Sequence, residues 1–175
     1  MLIFSLGLIV VSLFIMMYED YLHRAISVRF LGTFFLGCIL FGFIQNDLSD
    51  WLLNSLINTF LLAFLFVVMQ VYYKLRFRVN GWFTDKIIGK GDLLFFWVLG
   101  WLFSPFNFLI TLSFLSLLSI VLSLPKIMRK GFQHKLPLIT YMGIGLIIEF
   151  AIIYRHDIVV GSDSQLLLLI TKWIR

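Results

Sequence analysis

Six apolar runs, each near the length of a bilayer-crossing helix, follow one another with only short polar stretches between them, at about 2–18, 29–45, 51–73, 88–104, 106–124 and 137–154. Crossing roughly 30 Å of hydrocarbon takes about 20 such residues at a helical rise of about 1.5 Å each. Lipid offers no partners to peptide N–H and C=O groups, so each run must satisfy its own backbone as an α-helix. A soluble fold does not accommodate this pattern: 61% of the 175 residues are hydrophobic and 13% are charged. Soluble domains carry roughly 45–50% apolar and about 25% charged residues. The expected architecture is an all-α membrane protein, a six-transmembrane-helix bundle forming a single membrane-embedded domain over 1–175. The fourth run is short unless it begins in the glycine-containing stretch before Asp92. Ser104-Pro105 makes a tight turn into the fifth, because proline disfavours helix at the residue before it. Leu166–Arg175 is too short to cross and is expected at the interface, with Lys172, Trp173 and Arg175 among the headgroups.

The connecting segments set the orientation. Arg24 and Arg29 follow the first run, Lys74, Arg76, Arg78, Lys86 and Lys90 follow the third, and Lys126, Arg129, Lys130 and Lys135 follow the fifth. The alternate connections, Gln45–Asp50 and Ser104–Asn107, hold no basic residue. The positive-inside rule then places both termini outside the cytoplasm, which requires an even number of spans. The net charge of +5 is therefore a topology signal rather than a nucleic-acid surface. Lys126–Lys135 reads as an anchor touching anionic membrane lipid. Met1–Met17 has neither the basic leader region nor the small-residue cleavage site of a signal peptide, and reads as a retained first span. Cys38 is the only cysteine, which excludes an intramolecular disulfide and cysteine-based zinc. His23, His134 and His156 fall in three separate connections and do not make a metal site, so no metal and no cofactor is expected.

Chemistry is then to be sought among the few acids near the membrane. Asp20 ends the first run in Tyr-Glu-Asp-Tyr-Leu-His-Arg-Ala-Ile, and Asp92 opens the fourth in Gly89-Lys90-Gly91-Asp92. The orientation above sets both at the same, cytoplasmic, boundary. Two close carboxyls cannot both ionise cheaply, so one keeps a proton while the other stays charged. Such a pair can deprotonate a water and protonate a leaving amine, which is all that peptide hydrolysis needs. Gly89 and Gly91 allow backbone conformations and close approaches that a Cβ would forbid. The plain alternatives are a helix cap for Asp92 and a solvated turn charge for Asp20.

At these two places the chain resembles the type IV prepilin peptidase and archaeal preflagellin peptidase family, the G-x-G-D membrane aspartic peptidases. The family's first motif reads D-x-x-x-R-x-I-P-N; Asp20, Arg24 and Ile26 match, while Ser27 and Val28 stand in place of Pro-Asn. Its second reads G-x-G-D-x-K-L; Gly89, Gly91 and Asp92 match, and Leu94 occupies the lysine position. Leu99-Gly100 and the Pro137-Leu138 opening of the sixth run are also similar. The resemblance implies six spans, catalysis by Asp20 and Asp92, and support from Gly89, Gly91, Arg24 and Pro137. It further implies a minimal, peptidase-only member, because the cysteine-bearing segment of larger members is missing. Its substrate would be a prepilin-like membrane protein of a type IV pilus or secretion system. The enzyme, in the cytoplasmic (inner) membrane, would remove that substrate's basic leader at the cytoplasmic face.

The competing class is a non-enzymatic polytopic scaffold or small transporter component with incidental loop aspartates. A transporter places ionisable groups near the bilayer midplane at broken helices, where this chain is nearly free of them. Presenilin-like proteases also use G-x-G-D but resemble larger chains with more spans. Glu149, among Ile147, Ile148 and Phe150, reads as a structural pairing or snorkelling group. Asn54 and Asn58 read as hydrogen-bonding groups toward neighbouring helices, and Gly32, Gly37, Gly42, Gly143 and Gly145 as close-packing points.

Overall fold

A computed structural model describes residues 1–77, 89–130 and 138–155. The described residues form six helices and no strand: α1 (Leu2–His23), α2 (Val28–Gln45), α3 (Leu48–Phe77), α4 (Lys90–Gly100), α5 (Pro105–Lys130) and α6 (Leu138–Arg155). Four of them, α1, α2, α3 and α5, are long and apolar enough to cross a bilayer, and α6 contains a shorter apolar stretch, Leu138–Ile152. The chain is thus a membrane-embedded, multi-pass helical protein. Its outer faces carry the same residue types as its interior: Phe60, Ile3 and Leu75 stand more than three-quarters exposed, an arrangement that only a lipid solvent stabilises. Most of the buried serine hydroxyls keep to their own helices. Ser12, Ser55, Ser119 and Ser123 each donate to a carbonyl three or four residues back, so none is left bare in an apolar interior. Pro137 and the C-terminal stretch Leu166–Arg175 lie outside the described residues.

The helices outrun several of the apolar runs that announce them. α1 continues past the first charged residues to His23, because its backbone ladder is indifferent to the polarity of the side chains outside it. α5 runs through Pro125 to Lys130. A proline removes one N–H bond without ending a membrane helix when the freed carbonyl is otherwise accommodated. α4 departs the other way. It has 11 residues, a rise of about 16 Å, and does not by itself cross the hydrocarbon as a run over 88–104 would. The chain tightens after Gly100, where the N–H groups of Trp101 and Leu102 reach the carbonyls of Val98 (3.1 Å) and Leu99 (3.0 Å). Asn58 of α3 holds this turn with Nδ2 on the carbonyls of Gly100 (2.8 Å) and Phe103 (2.7 Å). Pro105 then opens α5 at the first helical position, where its missing N–H costs nothing.

α1 lies along α2 and α6, α5 packs on α6, and short α4 is inserted among α2, α3, α5 and α6. Its Phe95, Phe96, Val98 and Leu99 are buried in the shared core, with Phe95 stacked on Phe34 of α2 at 5.7 Å. At the far end of α4, Trp51 and Trp97 each meet Trp101 edge to face, and Trp51 Nε1 donates to the Trp101 carbonyl at 2.9 Å. Four of the five glycines read as packing points hold neighbours where a Cβ would fall: Gly37 faces Ile9, Gly42 the Trp51 indole, Gly143 Met17, and Gly145 Leu115 and Leu118. Gly32 is the exception, with nothing within 4 Å of its would-be Cβ. The two classes should part in sign on substitution. Gly32→Ala is expected to stabilise α2 by about 0.5–1 kcal/mol. Gly42→Ala must push a rigid indole off its carbonyl and should cost about 1–3 kcal/mol. Thermal unfolding of both variants in detergent measures the difference.

Candidate active site at one end of the bundle

The last turn of α1 sets the first acid. α1 ends because Arg24 takes a left-handed conformation (φ 52°, ψ 36°) and donates its N–H to the Asp20 carbonyl at 3.0 Å. For a residue with a Cβ this conformation costs about 1–2 kcal/mol, so the following loop must hold it. Glu19 does so in part, accepting the Ser27 N–H on Oε2 at 2.8 Å. Arg24 itself is exposed, and what it visibly supplies is this turn. The folded-back loop carries Ile26 onto α4, where a Cβ on Gly91 would lie 3.3 Å from Ile26 Cδ1. The Asp20–Ile26 segment and the Gly89–Asp92 segment, about 70 residues apart in sequence, are therefore in contact.

The two glycines work through space rather than backbone freedom. Gly89 has φ −67° and ψ 149°, open to any residue, and Gly91 lies within α4. Asp92 sits half-buried in the first turn of α4 and accepts the Gly89 N–H on Oδ2 at 3.2 Å. The capping role is thus real for Asp92. It turns out to be real for Asp20 as well, across helices. Asp20 is only 5% exposed, and its Oδ2 accepts the Thr140 N–H at 2.9 Å. The Thr140 hydroxyl is within reach of both Asp20 Oδ2 (3.1 Å) and the Met17 carbonyl (3.0 Å), its one proton serving one at a time. Thr140 is the third residue of α6, where N–H groups have no partner in their own helix. Asp20 satisfies one of them and sets its charge against the positive end of the α6 dipole.

Both acids consequently lie at helix N-termini, Asp20 at that of α6 and Asp92 at that of α4. Each spends Oδ2 on the scaffold and leaves Oδ1 outside these bonds. Thr140 escaped the reading of the sequence. Its only signal was a hydroxyl two residues into an otherwise apolar run, just after Pro137-Leu138. Of the residues expected at the site, Asp20, Asp92, Gly91, Gly89 and the turn at Arg24 come together at this end, and Pro137 lies outside the described residues. Among the described residues no three His, Cys, Asp or Glu gather as a metal site. Glu149 lies elsewhere, further along α6, and accepts a hydrogen bond from Thr111 of α5. No family model, no curated protein and no solved structure matches this chain, so its own residues carry the functional reading.

Proposed function

We propose that this chain is a membrane aspartic endopeptidase that removes the basic leader from prepilin-like membrane proteins, with Asp20 and Asp92 as alternating acid and base. One observation carries the reading: carboxylates from two different helices lie at one end of the bundle, at the N-termini of α4 and α6, where the loop after Asp20 packs Ile26 against Gly91. In the proposed reaction one carboxylate takes a proton from water as the water oxygen bonds to the scissile carbonyl carbon. The other, protonated, gives its proton to the leaving amine as the C–N bond breaks. Two helix dipoles steady the negative charge that the pair must hold. In this reading α6, and α4 together with the turn that follows Gly100, complete a set of six spans, both termini lie outside the cytoplasm, and the Asp20–Asp92 end faces the cytoplasm from the inner membrane. The basic connections follow from that orientation. The resemblance to the prepilin and preflagellin peptidases supplies the substrate class.

A second reading rests on the same hydrogen bonds. Both aspartates cap helices, so a non-enzymatic membrane scaffold would use them in the same places. Co-expression of the chain with prepilin-like proteins of its host, followed by mass measurement of the substrate, separates the two. Wild type should release the leader, and Asp20→Ala and Asp92→Ala should each abolish release. Processing that persists in both variants removes the dyad.

A further inference from the structure

α6 carries a second acid nine residues beyond Thr140, about 13 Å along the helix axis. Glu149 Oε1 accepts from Thr111 Oγ1 of α5, and Oε2 is buried with no hydrogen-bond partner among the described residues. The two helices run antiparallel here, with Gly145 seated against Leu115 and Leu118 and Glu149 one turn further on against Thr111. The charged groups of the neighbouring helices lie elsewhere. On α1, Tyr18 through His23 sit at the level of Thr140, as the Asp20–Thr140 bonds show. Continuing that antiparallel register, the Met1 amine falls about 15 Å beyond Glu149. On α4, Lys90 and Asp92 are in the first turn, at the Asp20 end, and α5 holds no titratable residue between Pro105 and Pro125. On α6 itself the next ionisable residues along are Tyr154 and Arg155, five and six positions on.

An ionised carboxylate with an oxygen buried and unpartnered in such a seam costs several kcal/mol. A neutral carboxylic acid does not carry that cost, and Thr111 suits it equally. A hydroxyl both donates and accepts, so Thr111 can take the Glu149 proton and turn its own toward a carbonyl of its helix. We propose that Glu149 is a proton-binding site in the interior of the bundle, occupied at neutral pH and open to covalent modification by an apolar carbodiimide. In that modification the carboxyl proton passes to a carbodiimide nitrogen and the carboxyl oxygen adds to the central carbon. The O-acylisourea rearranges to an N-acylurea, and nothing leaves. The inference stands independently of the peptidase reading, since it uses neither aspartate.

The test uses the full chain in detergent or liposomes. Infrared spectra of wild type and Glu149→Gln at neutral pH should differ by the carbonyl stretch of one neutral carboxylic acid. Thr111→Val, close in shape, should shift that band in a protein that keeps its fold. Dicyclohexylcarbodiimide should modify Glu149 at least tenfold more than exposed Asp50 in peptide mapping, and a water-soluble carbodiimide should reverse that order. A wild-type spectrum without the band overturns the proposal whatever the labelling shows. With the band present, an unmodified Glu149 overturns the modification half of it.

Discussion

Asp20→Asn is expected to leave the protein folded and to lower leader cleavage by about 10²–10⁴-fold, the range a positioned acid or base contributes. The amide oxygen of Asn can accept the Thr140 N–H and hydroxyl as Oδ2 does now at 2.9 and 3.1 Å, so the link between α1 and α6 survives. What is lost is the capacity to take and return a proton. Asp20→Ala removes both. It should show the same kinetic loss together with about 0.5–2 kcal/mol less stability, the usual effect of deleting a helix cap. Thr140→Val gives the reciprocal case: it removes the hydroxyl bond, keeps the N–H bond, and should lower stability by about 0.5–1.5 kcal/mol with far less effect on cleavage. Cleavage rates per folded molecule, set beside thermal unfolding of the same preparations, separate the roles. If Asp20→Asn cleaves as wild type does, Asp20 is a structural cap and the scaffold reading gains its main support.

The parts of this fold that depend on one stretch of chain were legible in the sequence. Apolar runs of membrane length located all six helices among the described residues, because lipid leaves a backbone no other way to satisfy itself. The cap at Asp92 was legible for the same reason, being a contact over three residues. Contacts between distant segments were not. Nothing local distinguishes Gly32 from Gly42; the Trp51 indole, from another helix, makes the second indispensable and leaves the first free. α4 stops at Gly100 because an amide 42 residues earlier captures its last carbonyl, not because the apolar run ends. Asp20 read as a solvated turn residue or half of a dyad, whereas its partner in the fold is Thr140, 120 residues away. The placement of the two acids at one end of the bundle was therefore legible in the sequence, and the group that orients one of them was not.

Asn58 offers the second large effect, because shape and hydrogen bonding pull in opposite directions there. Its side chain is fully buried, Nδ2 serves the carbonyls of Gly100 and Phe103, and Oδ1 has no partner among the described residues. Asn58→Leu strands two carbonyls, each costing about 1–3 kcal/mol, but removes the stranded Oδ1, which returns a similar amount; the net loss should be about 1–3 kcal/mol. Asn58→Asp keeps the outline of Asn and is expected to be the worse variant. Ionised, it donates nothing to the two carbonyls and leaves an uncompensated charge in an apolar interior, which costs about 3–5 kcal/mol; protonated, it donates to only one of them. The order of stability should be wild type, then Leu, then Asp, measured by unfolding in detergent; the reverse order for the two variants would mean that side-chain volume, not donation, holds the turn. Asp92 opens α4 and Gly100 closes it, eight residues apart, or about 12 Å. Loosening the turn at Asn58 should thus lower the folded fraction while leaving leader cleavage per folded molecule near that of wild type. A variant that stays folded but loses cleavage would instead tie the position of Asp92 to the far end of its helix.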